Sequence, residues 1–161
     1  MLTLNLPRDV VQRLVVGLRH AGRHEIGGIL MAEHVGPNVF TVRELTIHGV
    51  GAVARFVRRI EDAVGRLRAF FSETNHDYTR FNYVGEWHSH PLFDPHPSGT
   101  DDAAMREIVM EPTVGATFVV LLIVKLDAFG ALVATLHTYL PDGSKVPSTL
   151  ALLIDGEASG I

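Results

Sequence analysis

The chain has 161 residues, 47% of them hydrophobic and 20% charged, with a formal net charge of −4 at pH 7. That size and balance suit one globular domain that buries its own core, and they exclude disordered and fibrous classes. Cysteine is absent, which removes disulfides, iron–sulfur clusters, thiolate zinc sites and cysteine nucleophiles together; any metal must be held by histidine and carboxylate.

The acidic balance argues against a nucleic-acid partner, because phosphate binding draws on an excess of Lys and Arg. No apolar run reaches the length of a membrane span, and "MLTLNLPRDV" lacks the basic, apolar and small-residue regions of a secretory signal. The expected location is the cytoplasm.

Pro7 followed by Val10, Val11, Leu14, Val15 and Leu18 has the three-and-four spacing of one helical face, and Gly22 supplies a stop. This predicts a first helix over about 7–20. "EIGGILM" and "NVFTVRELTIHG" are rich in β-branched and apolar residues and flank a turn, "EHVGPN", so they read as a strand pair. Arg55, Arg58, Arg59, Arg66 and Arg68 cluster in "ARFVRRIEDAVGRLR", which reads as a solvated helix face. Ile60, Val64, Leu67 and Phe71 repeat at helical spacing and predict a second helix over about 60–74.

"FNYVGEWHSHP" reads as a strand stopped by Pro91, and the three prolines between 91 and 97 demand a stiff, ordered loop. A third helix is expected from near Ser98 to about Val109, with Met105, Ile108 and Val109 facing inward. "TFVVLLIVKLD" has the unbroken apolar character of a buried central strand, paired through "AFG" with "ALVATLHTYL". "SKVPSTLALLI" suits an edge strand or a short helix. No repeat or linker divides the chain, so residues 1–161 are expected to form one domain, with about 155–161 frayed. Helices interspersed among strands predict an α/β sheet covered by helices.

The segment "GEWHSHPLFDPHPSGTDD" carries the chemistry. Alternate side chains of a strand share a face, so His88 and His90 project together, with Trp87 and Ser89 on the other side. Asp101 is the natural third donor, because the loop is long enough to return it and the third helix carries it in its first turn. Two imidazoles and one carboxylate leave an open coordination position, as in a catalytic zinc site, and zinc lowers the pKa of water there to roughly 7. Taken alone, "SGTD" also fits a plain helix start, with Ser98 as cap and Asp101 in the first turn.

His88, Ser89, His90 and Pro91, then Ser98 and Asp101 at their spacings, resemble the signature of the JAMM (MPN+ or JAB) metallopeptidases, and "GEWHSHP" looks most like the bacterial branch. That family carries a glutamate ahead of a glycine pair, which Glu25 in "HEIGGIL" matches. The resemblance implies a single-domain, cytidine-deaminase-like α/β sandwich with a mixed β-sheet packed between helices. It implies one catalytic Zn2+ held by His88, His90 and Asp101, with Glu25 as general base and Ser98 assisting the oxyanion.

Gly27 and Gly28 are then expected where a substrate strand approaches closely. Glu86 is a rival base, sharing a face with both histidines if the strand is regular, although two strand residues further from His90 than His88 is. His96 reads as a loop or substrate-facing residue, and the other histidines as ordinary. The implied activity is hydrolysis of the amide bond after the C-terminal glycine of a ubiquitin-like protein, by deconjugation or precursor processing. E1-like and E2-like conjugation enzymes are possible partners, and a bacterial antiviral defence system is a setting by analogy. The alternatives are a non-catalytic MPN scaffold subunit, which would lack ligands, and a RadC-type DNA-repair protein. The oligomeric state is left open.

Overall fold

The computed structural model describes residues 1–49 and 53–153, and the side chains of all of these except 53–60. The elements run β1 (Thr3–Pro7), α1 (Arg8–Ala21), β2 (Ile26–Gly36), β3 (Val39–Leu45), β4 (His48–Gly49), α2 (Val53–Glu73) and β5 (Phe81–Ser89). They continue with α3 (Gly99–Met110), β6 (Val119–Leu126), β7 (Leu132–Tyr139), β8 (Lys145–Pro147) and β9 (Thr149–Leu153). One mixed sheet has the order β8-β7-β6-β5-β2-β3-β1-β9, with β4 paired to β2. The β1–β3, β1–β9 and β5–β6 pairs are parallel.

The predicted helices and the central strands are present. The β2–β3 pair turns at Pro37 and Asn38, where Asn38 takes a positive φ of 57°, a left-handed conformation that asparagine tolerates well. α2 starts seven residues earlier than its apolar repeat suggests. Arg55, Arg58 and Arg59 have side chains outside the described set, whereas Arg66 donates to Glu44 at 2.9 Å. The expected frayed stretch 155–161 also lies outside the described residues. β1 was not foreseen, although Leu2, Leu4 and Leu6 alternate into the core, which is the period of a half-buried strand.

Two cores form, one on each face of the sheet. On β6, Val120, Leu122 and Val124 join α1's Val10, Leu14 and Leu18, while Val119, Leu121 and Ile123 join Met105 and Val109 of α3. Both faces of β6 are therefore dry, which explains its unbroken apolar run. Each such side chain contributes roughly 1.5–3 kcal/mol by leaving water. α2 covers the same face as α3: its Phe70 meets Phe81 edge-on at 6.1 Å, two residues along β5 from Tyr83, which packs on the α3 cluster.

β5 changes face in mid-strand. Tyr83 packs on the α3 side and Val84 on the α1 side, yet Trp87 is again on the α1 side. A register shift causes this: Leu30 pairs with Gly85 and Met31 with Tyr83, leaving Val84 without an opposite residue. Such a bulge rotates everything that follows. Glu86, His88 and His90 consequently face the space between α2 and α3. Gly85 permits this with φ of 152°, and a Cβ there would lie 2.0 Å from the Val120 carbonyl oxygen.

Candidate metal centre

His88 makes the last pair of the ladder between β5 and β2, opposite Gly27. Continuing the antiparallel register, whose paired numbers sum to a constant, sets Glu25 opposite His90 and Ile29 opposite Glu86. Ser89, fully buried between the two histidines, accepts a hydrogen bond from the Ile26 amide at 3.0 Å. The residue after Glu25 is thereby tied to the strand that carries both imidazoles. Trp87 is also buried, its Nε1 donating to the Thr46 carbonyl at 2.8 Å.

The imidazoles and Asp101 converge. His88 Nε2 and His90 Nε2 are 3.0 Å apart, His88 Nε2 is 3.5 Å from Asp101 Oδ1, and His90 Nε2 is 3.7 Å from Asp101 Oδ2. Among the described residues these three form the one group of three metal-binding side chains with donor atoms within 4.8 Å of one another. Two ligands bound about 2.0–2.1 Å from a tetrahedral ion lie roughly 3.3–3.4 Å apart. The three separations bracket that distance, so the donors fit a small divalent cation.

Protonation fits as well. His90 Nδ1 faces the Asp94 carbonyl at 3.2 Å; a carbonyl only accepts, so Nδ1 carries the proton and Nε2 offers its lone pair to the site. Burial pushes the His88 pKa down, and the opposing charge of Asp101 does not restore it. Burial pushes Asp101 up, but hydrogen bonds from the Ser98 hydroxyl and amide outweigh it, together with the two imidazoles, and hold the carboxyl below its ordinary value. Burial thus favours the uncharged His88 ring, and the Ser98 bonds favour the ionised Asp101 carboxylate, the forms that bind metal.

The two readings of "SGTD" turn out to coexist. Ser98 caps α3, accepting from the Asp101 amide at 3.2 Å, while Asp101 Oδ2 accepts from the Ser98 amide and hydroxyl, both at 2.7 Å. Asp101 closes a capping box and faces the imidazoles at once.

A cleft of about 790 Å³ opens onto these residues. Glu25, Glu86, His96 and Ser98 line it with the three donors, as do Phe93 and Ala63. The two glutamates act on different neighbours: the charge of Glu25 is felt at His88, and that of Glu86 raises Tyr83 further after burial has already done so.

The glycine pair lines the cleft but is used by the chain's own backbone. A Cβ on Gly28 would sit 2.0 Å from the Thr46 carbonyl oxygen, and one on Gly27 2.6 Å from that of Trp87. The close approach seen there comes from Trp87 of β5 at Gly27 and from the β3–β4 connection at Gly28, where the Thr46 hydroxyl accepts from the Ile29 amide at 2.9 Å.

The proline loop is pinned by contacts the sequence did not reveal. Lys125 Nζ donates to the Phe93 carbonyl at 2.9 Å. The Thr135 hydroxyl donates to the Pro95 carbonyl and accepts from His137 Nε2 at 3.0 Å. His137, read as ordinary, thus supports the loop from β7. Its signal was present, since Thr135, His137 and Tyr139 alternate on one strand face, but nothing in the sequence said what that face met.

A mixed sheet between helices, with two histidines at the end of a bulged strand and an aspartate at a helix start, defines an α/β domain built around a candidate open metal centre. The description "Prokaryotic homologs of the JAB domain" matches residues 7–140, and the chain belongs to that family, with its JAB/MPN-like fold. A protein of Enterobacter hormaechei subsp. hoffmannii named CD-NTase/cGAS isopeptidase is 29% identical over 110 residues, covering 66% of this chain and 58% of that protein. The chain thus spans less than two thirds of this curated relative.

Two solution structures share the fold. A Desulfitobacterium hafniense protein superposes with a TM-score of 0.56 at 16% identity, covering 97% of each chain. A Salinibacter ruber protein gives 0.56 at 20% identity, covering 100% of this chain and 95% of the other.

Proposed function

We propose that this chain is a zinc-dependent peptidase or isopeptidase that hydrolyses the amide bond after the C-terminal glycine of a ubiquitin-like protein. The observation that carries this reading is the convergence of two imidazole Nε2 atoms and one carboxylate in an open cleft beside a second carboxylate. His88, His90 and Asp101 would hold the ion, which when bound polarises a carbonyl and lowers the pKa of water to about 7. The isopeptidase name of the Enterobacter relative supports amide hydrolysis. It also suggests a CD-NTase-like protein as the conjugated target, in keeping with a defence setting.

Glu25 is the preferred general base. Its register position opposite His90 and its charge at His88 favour it over Glu86, which stands two residues up the strand beside Tyr83. A carboxylate there takes a proton during attack and returns it to the departing amine. Ser98 assists the carbonyl oxygen only after its proton, which points to Asp101 in this structure, turns toward the cleft. The intact donor set disfavours a scaffold subunit, since such relatives lose ligands, and the net charge of −4 disfavours a DNA-repair role.

The test is cleavage of a bacterial ubiquitin-like protein fused at its last glycine to a reporter. Glu25→Gln is expected to lower turnover by about 10²–10⁴-fold, the range of general acid–base catalysis, while zinc content stays unchanged. Glu86→Gln is expected to stay active. The reverse pattern would transfer the role to Glu86, and cleavage indifferent to a chelator would reject the metal mechanism.

A further inference from the structure

Asp101 serves two masters. Its Oδ2 closes the capping box of α3 with Ser98, and the same carboxylate stands 3.5 and 3.7 Å from the imidazoles. A carboxylate drawn toward a cation gives less to the cap, so a helix held by its cap alone would loosen when the site fills. The apolar grip on α3 is modest, with Met105 and Val109 as its buried residues.

The next side chain supplies an independent anchor. Asp102 Oδ1 accepts from the Tyr139 hydroxyl at 2.6 Å, and both of its oxygens accept from Lys145 Nζ at 3.0 Å. Tyr139 is fully buried at the end of β7, and Lys145 begins β8. One turn further along α3, Arg106 Nε donates to the Gly143 carbonyl at 3.0 Å, in the connection between those same strands. The start of α3 is therefore bolted to the β7–β8 hairpin through groups that take no part in its cap. Charge-assisted bonds to a carboxylate are stronger than neutral ones, and here one donor is buried and rigid.

We propose that Asp102, held by Tyr139 and Lys145, is the positioning residue for the third metal donor. It fixes the first turn of α3 relative to β5, so that Asp101 meets the imidazoles without surrendering the helix start. This inference rests on reading the site as a metal centre. Asp102 touches neither ion nor substrate; it acts through the backbone it shares with Asp101.

The experiment measures zinc affinity by competition with a chromophoric chelator, alongside the melting temperature of the metal-free protein, for wild type, Asp102→Ala, Tyr139→Phe and Lys145→Arg. Losing a group that orients a ligand is expected to weaken zinc binding by about tenfold or more in Asp102→Ala and by several-fold in Tyr139→Phe, with Lys145→Arg within about threefold of wild type. Tyr139→Phe keeps the buried ring, so it carries the test if Asp102→Ala does not fold. Variants that melt earlier yet bind zinc as wild type does would overturn the proposal, because the network would then serve stability alone. A wild-type chain that binds no zinc would instead overturn the metal-centre reading, and this role with it.

Discussion

At the residue scale, Asp101 shows how one side chain can satisfy two sequence rules. A capping box and a ligand motif compete on paper, but the carboxylate has two oxygens: Oδ2 accepts both Ser98 bonds, and Oδ1 is the nearer to His88. Ser98→Ala removes both the helix cap and one of the bonds that hold Asp101 ionised. It is expected to cost about 0.5–2 kcal/mol of stability, measured by thermal melting of the metal-free protein; an unchanged melting temperature would deny the cap its role. His88, His90, Ser98 and Asp101 were legible in the sequence because strand periodicity and helix-start chemistry are local. At Gly27 and Gly28 the sequence said less, because a glycine announces close approach without saying what approaches. The partner proved to be the backbone at Thr46 and Trp87.

At the scale of elements, the decisive feature is the β5 bulge. Without it, Glu86 and His88 would share a face with Val84 and lie against α1 rather than in the cleft. An isolated glycine inside a strand pattern is the available signal for such a bulge, and Gly85 in "GEWHSH" gave it. Gly85→Ala would force a Cβ to 2.0 Å from the Val120 carbonyl oxygen at a φ of 152°. It is expected to destabilise the fold by at least about 2–3 kcal/mol and to weaken zinc binding; a variant of wild-type stability would refute the bulge.

Far from the cleft, Glu33 of β2 is buried between Arg43 of β3 and Arg80, whose Nε atoms donate at 2.7 and 2.8 Å. Burial raises its pKa, but the two arginines outweigh burial and leave it below its ordinary value of 4.5. The folded state therefore binds this proton less readily than the unfolded chain does. The stabilisation is complete above the unfolded value and fades as pH falls from there through the folded value. Glu33→Gln is expected to lose about 1–3 kcal/mol at pH 7 and to show a shallower loss of stability below pH 4.5 than wild type in denaturant titrations. Parallel pH profiles for the two would contradict the assignment.

At the scale of the whole molecule, the sheet separates stability from chemistry. The face under α1 holds most of the buried apolar residues, including Trp87, Leu122 and Leu14, while the face under α2 and α3 combines a smaller core with the cleft. The central strand and the first helix were readable because β6 is one unbroken apolar run and α1 repeats its apolar residues at three-and-four spacing. The parallel pairing of β9 with β1 was not readable, since it joins the two ends of the chain through side chains that carry no local pairing signal. No helix among the described residues is long and apolar enough to cross a membrane.

The site lies where β5 leaves the sheet, with its donors drawn from a strand and from a helix beyond a pinned loop. The most direct test is therefore zinc content by inductively coupled plasma spectrometry on the purified chain, beside His90→Ala. One ion per wild-type chain, largely lost in His90→Ala with the fold intact, is the predicted result; a metal-free wild type after zinc loading, or equal zinc in both proteins, would contradict the account.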